Sequence, residues 1–183
     1  MKKNIILTII FTLIQIVIIT IIKGFSYPLL LLFLMLLVFS YISIEDWKTG
    51  EISIPLNIIT FLLAGLYSFF SGWDLKIIGI NLLFFVLPFI ILEVIYELLS
   101  KDKEKFLIGG GDIILFATMS LILSPFNMCV MLFFACLMSI IVSKIIKKSL
   151  VHFAPFIQFG FLVAFLFGDL LNKVLFIGGI LIF

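Results

Sequence analysis

Residues 4–22 read Asn-Ile-Ile-Leu-Thr-Ile-Ile-Phe-Thr-Leu-Ile-Gln-Ile-Val-Ile-Ile-Thr-Ile-Ile, without a single charge. About 20 such residues in a helix cross the hydrocarbon core of a bilayer. Similar runs recur at 29–44, 54–71, 77–99, 126–143 and 153–171, with a shorter one at 112–124. Pro28 precedes the second run, Pro55 falls in the first turn of the third, Pro88 lies inside the fourth, and Pro125 stops the short fifth. Of the whole chain, 64% is hydrophobic and 12% charged. A soluble domain is nearer half apolar and about a quarter charged. There is too little polar surface here to coat a soluble globule. The expected fold is therefore an all-α polytopic membrane helix bundle: six core spans plus the N-terminal helix. The tail, 174–183, is too short to cross alone and reads as a partial or tilted helix. Residues 1–183 read as a single membrane domain, without internal repeats. The first run has the look of a signal peptide, but no small-residue cleavage site follows it, so an uncleaved helix is expected.

All 12 basic residues are lysines. Without arginine the chain has no bidentate phosphate grip, and nucleic-acid binding is not expected. The lysines report topology instead. With a cytoplasmic N-terminus and seven spans, the inner side receives Lys2, Lys3, Lys48, Lys101, Lys103, Lys105, Lys144, Lys147 and Lys148. The outer side receives Lys23, Lys76 and Lys173. That asymmetry obeys the positive-inside rule. Omitting the short fifth run would place Lys144, Lys147 and Lys148 outside. Cys129 and Cys136 lie seven apart in an apolar run, too far along a helix for a disulfide, and are expected as buried apolar thiols. No paired zinc-type CxxC motif occurs, and no metal or organic cofactor is expected.

This topology brings two distant aspartates to the cytoplasmic edge. Asp46 lies in Ile44-Glu45-Asp46-Trp47-Lys48-Thr49-Gly50-Glu51-Ile52, and Asp112 follows Gly109-Gly110-Gly111. Ionisable groups at lipid are costly and are functional candidates by default. Two close carboxyls do not both ionise readily, so a pair holds one proton between them. The ionised member takes a proton from water while the protonated one hydrogen-bonds the scissile carbonyl. Asp112 is placed as the N-cap of the fifth helix, and the glycines permit close approach of backbone. Taken singly, each aspartate is better explained structurally than catalytically, Asp112 as a cap after a loop and Asp46 as a solvated interfacial charge.

Taken together they carry a resemblance. Gly109-Gly110-Gly111-Asp112 matches the GxGD signature of intramembrane-type aspartic proteases. The Asp46 segment resembles the first aspartate motif of the type IV prepilin (leader) peptidases. Val151-His152-Phe153-Ala154-Pro155-Phe156-Ile157 is similar to a third element of that family, with His152 and Ala154 where proline and glycine are common. The similarity spans about residues 29–160, read as the peptidase-like core. After the first motif Ile52-Ser53 replaces the usual Ile-Pro, with Pro55 two residues later. Asn57 stands near the usual polar position.

The resemblance implies an aspartic endopeptidase of the cell membrane, with Asp46 and Asp112 catalytic. It would cut the basic leader from prepilin, pseudopilin or archaellin precursors at the cytoplasmic face. No zinc-binding methyltransferase insert is present, so the short, peptidase-only form is implied. Gly109, Gly110, Gly111, Lys48, Asn57 and Pro155 are supporting or substrate-contact candidates. Glu93 and Glu97 share a helix face and are candidates for tuning the pair or meeting a basic leader, with interhelical packing the plainer reading. His152 reads as a loop histidine and Asp169 as an interfacial charge. Two rivals stand beside this reading. One is another GxGD protease cutting within transmembrane substrates, which commonly has a tyrosine beside its first aspartate. The other is a small transporter or assembly scaffold using the carboxylates for protons or packing; a proton carrier would usually hold its carboxylate nearer mid-membrane.

Overall fold

The computed structural model describes residues 2–99, 109–147 and 152–175. Seven helices run through them: α1 (Lys2–Lys23), α2 (Tyr27–Thr49), α3 (Ile54–Phe70), α4 (Leu75–Leu99), α5 (Gly110–Ser120), α6 (Pro125–Ile146) and α7 (Ala154–Leu175). Among the described residues there is no strand. α1, α2, α4, α6 and α7 are each long and apolar enough to cross a membrane. The expected helix bundle is what forms. Most of the polar stretch 100–111 and the tail beyond Leu175 lie outside the described residues.

Proline and glycine set most of the helix ends, with shifts of a few residues from the apolar runs. α2 takes Pro28 into its first turn, where a missing N–H costs nothing, and continues to Thr49. Asp46 therefore lies about one turn inside a helix instead of just past a span. Gly50 closes α2 in the left-handed region (φ 74°), donating its N–H to the Asp46 carbonyl at 2.8 Å. Pro55 and Pro125 open α3 and α6. In α4, Leu82–Val86 winds as a π turn immediately before Pro88. A helical proline crowds the carbonyl four residues back, here Phe84, and a widened turn relieves that crowding.

α5 is the short element. Its 11 residues rise about 16 Å at 1.5 Å each, roughly half the hydrocarbon core. The helix ends at Ser120, and Leu121, Ile122 and Leu123 form a turn buried inside the bundle. Carbonyls freed at a helix end are expensive away from water. Asn81 of α4 answers them, donating Nδ2 to Ser120 O at 3.1 Å and to Leu123 O at 2.6 Å. An asparagine 39 residues away lets α5 stop within the bundle.

The core is formed by Leu32, Met35, Leu36 and Phe39 of α2, Leu115 and Met119 of α5, Met128 and Met131 of α6, and Phe161 of α7. α6 and α7 approach most closely at Gly160, where an added Cβ would lie 2.3 Å from the Met131 carbonyl oxygen. Backbone cannot swing aside as a side chain can. Gly160→Ala is expected to cost about 1–3 kcal/mol, the usual range for overpacking. A thermal midpoint of the purified protein equal to wild type would contradict that contact. Because this face of α6 meets α7, Cys129 and Cys136 point away from it. They are free and exposed, not buried as their sequence context implied.

The exterior is apolar. Ile9, Leu13 and Val17 of α1, Leu83, Phe84 and Ile90 of α4, and Phe133 and Ile140 of α6 are all exposed. Soluble monomers do not present such continuous apolar surface, and this is an integral membrane protein. Inside, polar links tie α1 to the bundle. Gln158 Nε2 of α7 donates to Gln15 Oε1 at 3.2 Å and to Ser40 Oγ of α2 at 2.7 Å. At the end opposite Asp46, Lys23 Nζ pairs with the exposed Asp169 through Oδ2 at 3.4 Å.

Candidate active site

Four helix ends meet around Asp46: the last turns of α2 and the first turns of α3, α5 and α7. Asp46 is 4% exposed although its helix end reaches the surface. Its Oδ2 accepts the Ala154 N–H at 3.1 Å, at the start of α7 where backbone donors are free of intrahelical bonds. Its Oδ1 lies 3.9 Å from His152 Nδ1.

Asp112 is in the first turn of α5, but not as its cap. The cap is Gly109, and Asp112 stands three residues on. Its backbone N–H bonds to Gly109 O at 2.9 Å, so the glycine backbone starts the helix and leaves the Asp112 side chain uncommitted. A carboxylate in a first helical turn is favoured by the helix dipole. The chain folds back over it, and a Cβ on Gly109 would stand 3.4 Å from Asp112 Oδ2. Asp112 Oδ1 is enclosed, and no donor among the described residues bonds to it. The first turn of α5 packs through Gly111 on Ile52, six residues after Asp46, which sets Asp112 at the same end of the bundle as Asp46. Two carboxyls 66 positions apart in sequence thus share one end of the bundle, Asp46 buried and Asp112 partly buried.

The glycine run has unequal members. At Gly111 an added Cβ would lie 2.7 Å from Ile52 Cβ and 2.9 Å from its Cγ2, whereas at Gly110 it would meet nothing within 4 Å. Ile52, in the α2–α3 loop, therefore presses α5 into place through Gly111. Asn57 of α3 adds a second hold, donating Nδ2 to the Gly111 carbonyl at 2.7 Å while fully buried.

The remaining candidates fall on either side of this centre. Lys48 and Pro155 line an apolar cavity of about 390 Å³ between α1, α2 and α7, together with Ser43, Trp47 and Gln158. Glu93 is half-buried and Glu97 exposed towards the end of α4. Among the described residues no three His, Cys, Asp or Glu side chains gather as a metal-ligand set.

Sequence reading missed three parts of the site. One is the Ala154 N–H, a backbone donor with no side-chain signature. Another is His152, whose ring packs on Gly50 beside Asp46. The third is an aromatic chain beside the carboxyls. Phe89 of α4 stacks on Phe116 of α5 at 4.8 Å between centroids, Phe116 lies 6.2 Å from Phe153, Phe153 is 6.5 Å from Phe156, and Phe156 is 6.1 Å from Trp47. Phe116 is one turn beyond Asp112, and Trp47 adjoins Asp46. These rings give the site an apolar wall.

Against this geometry the model of the Type IV leader peptidase family matches residues 30–144. The chain belongs to the Type IV leader peptidase family. The matched segment contains Asp46, Asn57, Gly109, Gly110, Gly111 and Asp112, and stops before His152, Ala154 and Pro155. No curated protein and no solved structure gives a significant match. Membership makes this a leader peptidase-like protease, and its long apolar helices hold it in a membrane.

Proposed function

We propose that the protein is an aspartic endopeptidase that removes the basic leader from prepilin-like precursors, with Asp46 and Asp112 as its catalytic pair. The observation that carries this reading is the meeting of two carboxyls from α2 and α5 at one end of the bundle, Asp46 buried and Asp112 partly buried with Oδ1 enclosed. Residues 29–160 supply this core, and prepilins, pseudopilins or archaellins of a pilus or secretion system are the substrate class.

The pair holds one proton. The ionised carboxylate takes a proton from water as the water oxygen bonds to the scissile carbonyl carbon. The protonated carboxyl passes its proton to the carbonyl oxygen, giving a neutral tetrahedral diol. Collapse of the diol breaks the C–N bond. The leaving amine takes up the proton the base received, and a diol proton returns to the other carboxylate. The pair is thereby restored with one proton. Asn57 and Ile52 hold Asp112 in reach through Gly111, and the Ala154 N–H fixes the direction of Asp46. The aromatic wall limits bulk water beside the reacting bond.

The active end faces the cytoplasm in this reading. Lys48, Lys144 and Lys147 lie at the same end as the aspartates, with Lys23, Lys76 and Lys173 at the other. A reporter joined after Lys147 is expected to read cytoplasmic and one joined near Trp73 external. Opposite signals would put the carboxyls in the wrong compartment. Co-expression with a prepilin-like precursor tests the activity itself: the precursor should shorten, and a precursor that stays full-length in cells containing the folded protein would refute it.

A further inference from the structure

His152 is the chain's one histidine and lies outside the segment matched by the family model. Its imidazole is held in place. Nδ1 is 3.9 Å from Asp46 Oδ1, and the ring is seated so closely on Gly50 that a Cβ there would lie 2.5 Å from Cε1 and 3.1 Å from Nδ1. Gly50 thus serves twice, closing α2 in the left-handed region and leaving room for the ring. The segment 152–154 then addresses both oxygens of Asp46, one through the imidazole and one through the Ala154 N–H. The His152 side chain is 43% exposed against 6% for Asp46, so the ring exchanges protons with water directly while the carboxyl is shielded.

We propose that His152 is a positioning residue whose imidazolium pairs with Asp46 and biases the shared proton towards Asp112, so that Asp46 acts as base and Asp112 as acid. The inference rests on the catalytic reading of the two aspartates. Its ground is the asymmetry between them. Asp46 has a cation-forming neighbour and a backbone donor, whereas Asp112 Oδ1 is enclosed and receives no donor among the described residues. Pairs of carboxyls divide acid and base roles by such differences of environment. Among the residues whose side chains are described, the other charged groups at this end are Glu45, Lys48 and Glu51 around the end of α2, Glu93 and Glu97 on α4, and Lys144 and Lys147 at the end of α6.

The sign follows from the role. An ionised Asp46 is needed as base, and a neighbouring cation favours that form. Without the cation, acidification neutralises Asp46 sooner, and activity fails at higher pH. Unit charges about 4 Å apart at water's dielectric constant differ by roughly fivefold in such an equilibrium, a shift of about 0.7 pH unit.

The test has two arms on the full chain in lipid nanodiscs. First, cleavage of a prepilin-like precursor is followed across pH for wild type and His152→Gln. The acidic limb of kcat is expected to move up by about 0.7 pH unit, with KM little changed; superimposed profiles overturn the proposal. Second, diethyl pyrocarbonate, which acylates neutral imidazole, is used on the lone histidine and followed by mass. Measured below about pH 6, where ordinary imidazole is mostly protonated, Asp46→Asn is expected to speed labelling up to about fivefold, while Asp112→Asn does not speed it. Equal rates for wild type and Asp46→Asn overturn the pairing whether or not the chain is a peptidase. Absence of cleavage by wild type counts against the peptidase reading alone, and the labelling rates still decide the pairing.

Discussion

Asp46→Asn and Asp112→Asn are each expected to slow leader removal by at least roughly 100-fold, the lower end of what a general acid or base contributes. Asparagine keeps the size of the side chain but neither takes nor gives a proton under these conditions. A pair reduced to one carboxyl loses the division into base and acid. Neither change disturbs what inserts the protein, since the apolar lengths of α2, α4, α6 and α7 are untouched. Both variants should therefore reach the membrane at wild-type levels and accumulate full-length precursor. Asp112→Glu is also expected to be poor. Its carboxyl would be displaced by about 1 Å, and such misplacement costs on the order of 100-fold. Gel mobility of a precursor in membranes containing each variant reads the effect. Normal processing by either asparagine variant would remove that residue from the catalytic pair.

The second large effect is expected at Gly111. Alanine there would bring Cβ within 2.7 Å of Ile52 Cβ and 2.9 Å of Cγ2. Ile52 Cβ is the branch point of a stiff side chain, and so the contact is not relieved by a rotamer change. The first turn of α5 must move away from the α2–α3 loop, straining the Asn57 bond to the Gly111 carbonyl. Asp112 moves with it. A displacement near 1 Å would lower kcat on the order of 100-fold, with overpacking of about 1–3 kcal/mol in stability. Gly110→Ala provides the contrast, because an added Cβ meets nothing within 4 Å. It should retain activity within a few-fold. Equal activities for the two alanine variants would show that Ile52 does not position α5.

Much of the fold was legible because lipid enforces a simple rule. Backbone polar groups at depth must bond within a helix, so uncharged runs and their prolines mark the helices directly. The end of α5 was not legible. It depends on Asn81, whose bonds to the Ser120 carbonyl of α5 and the Leu123 carbonyl of the turn after it join residues about 40 positions apart. The place of Asp112 within its helix was misread for a local reason: aspartate is a favoured cap, yet the preceding glycines start the helix with their own backbone. Cys129 and Cys136 were misjudged because an all-round apolar helix gives no sign of which face meets its partner. The two aspartates stood out through the rarity of charge. Their neighbours did not: the Ala154 N–H leaves no mark in the sequence, and His152 meets Asp46 only after α7 folds against α2.

The most direct test of the central claim is the mass of both fragments after purified protein has acted on a prepilin-like precursor. The account predicts one cut, releasing an intact basic leader and a product whose new N-terminus begins just before its hydrophobic helix, with no cut by Asp46→Asn or Asp112→Asn. Fragments that end inside the hydrophobic helix, or an uncut precursor, would contradict it.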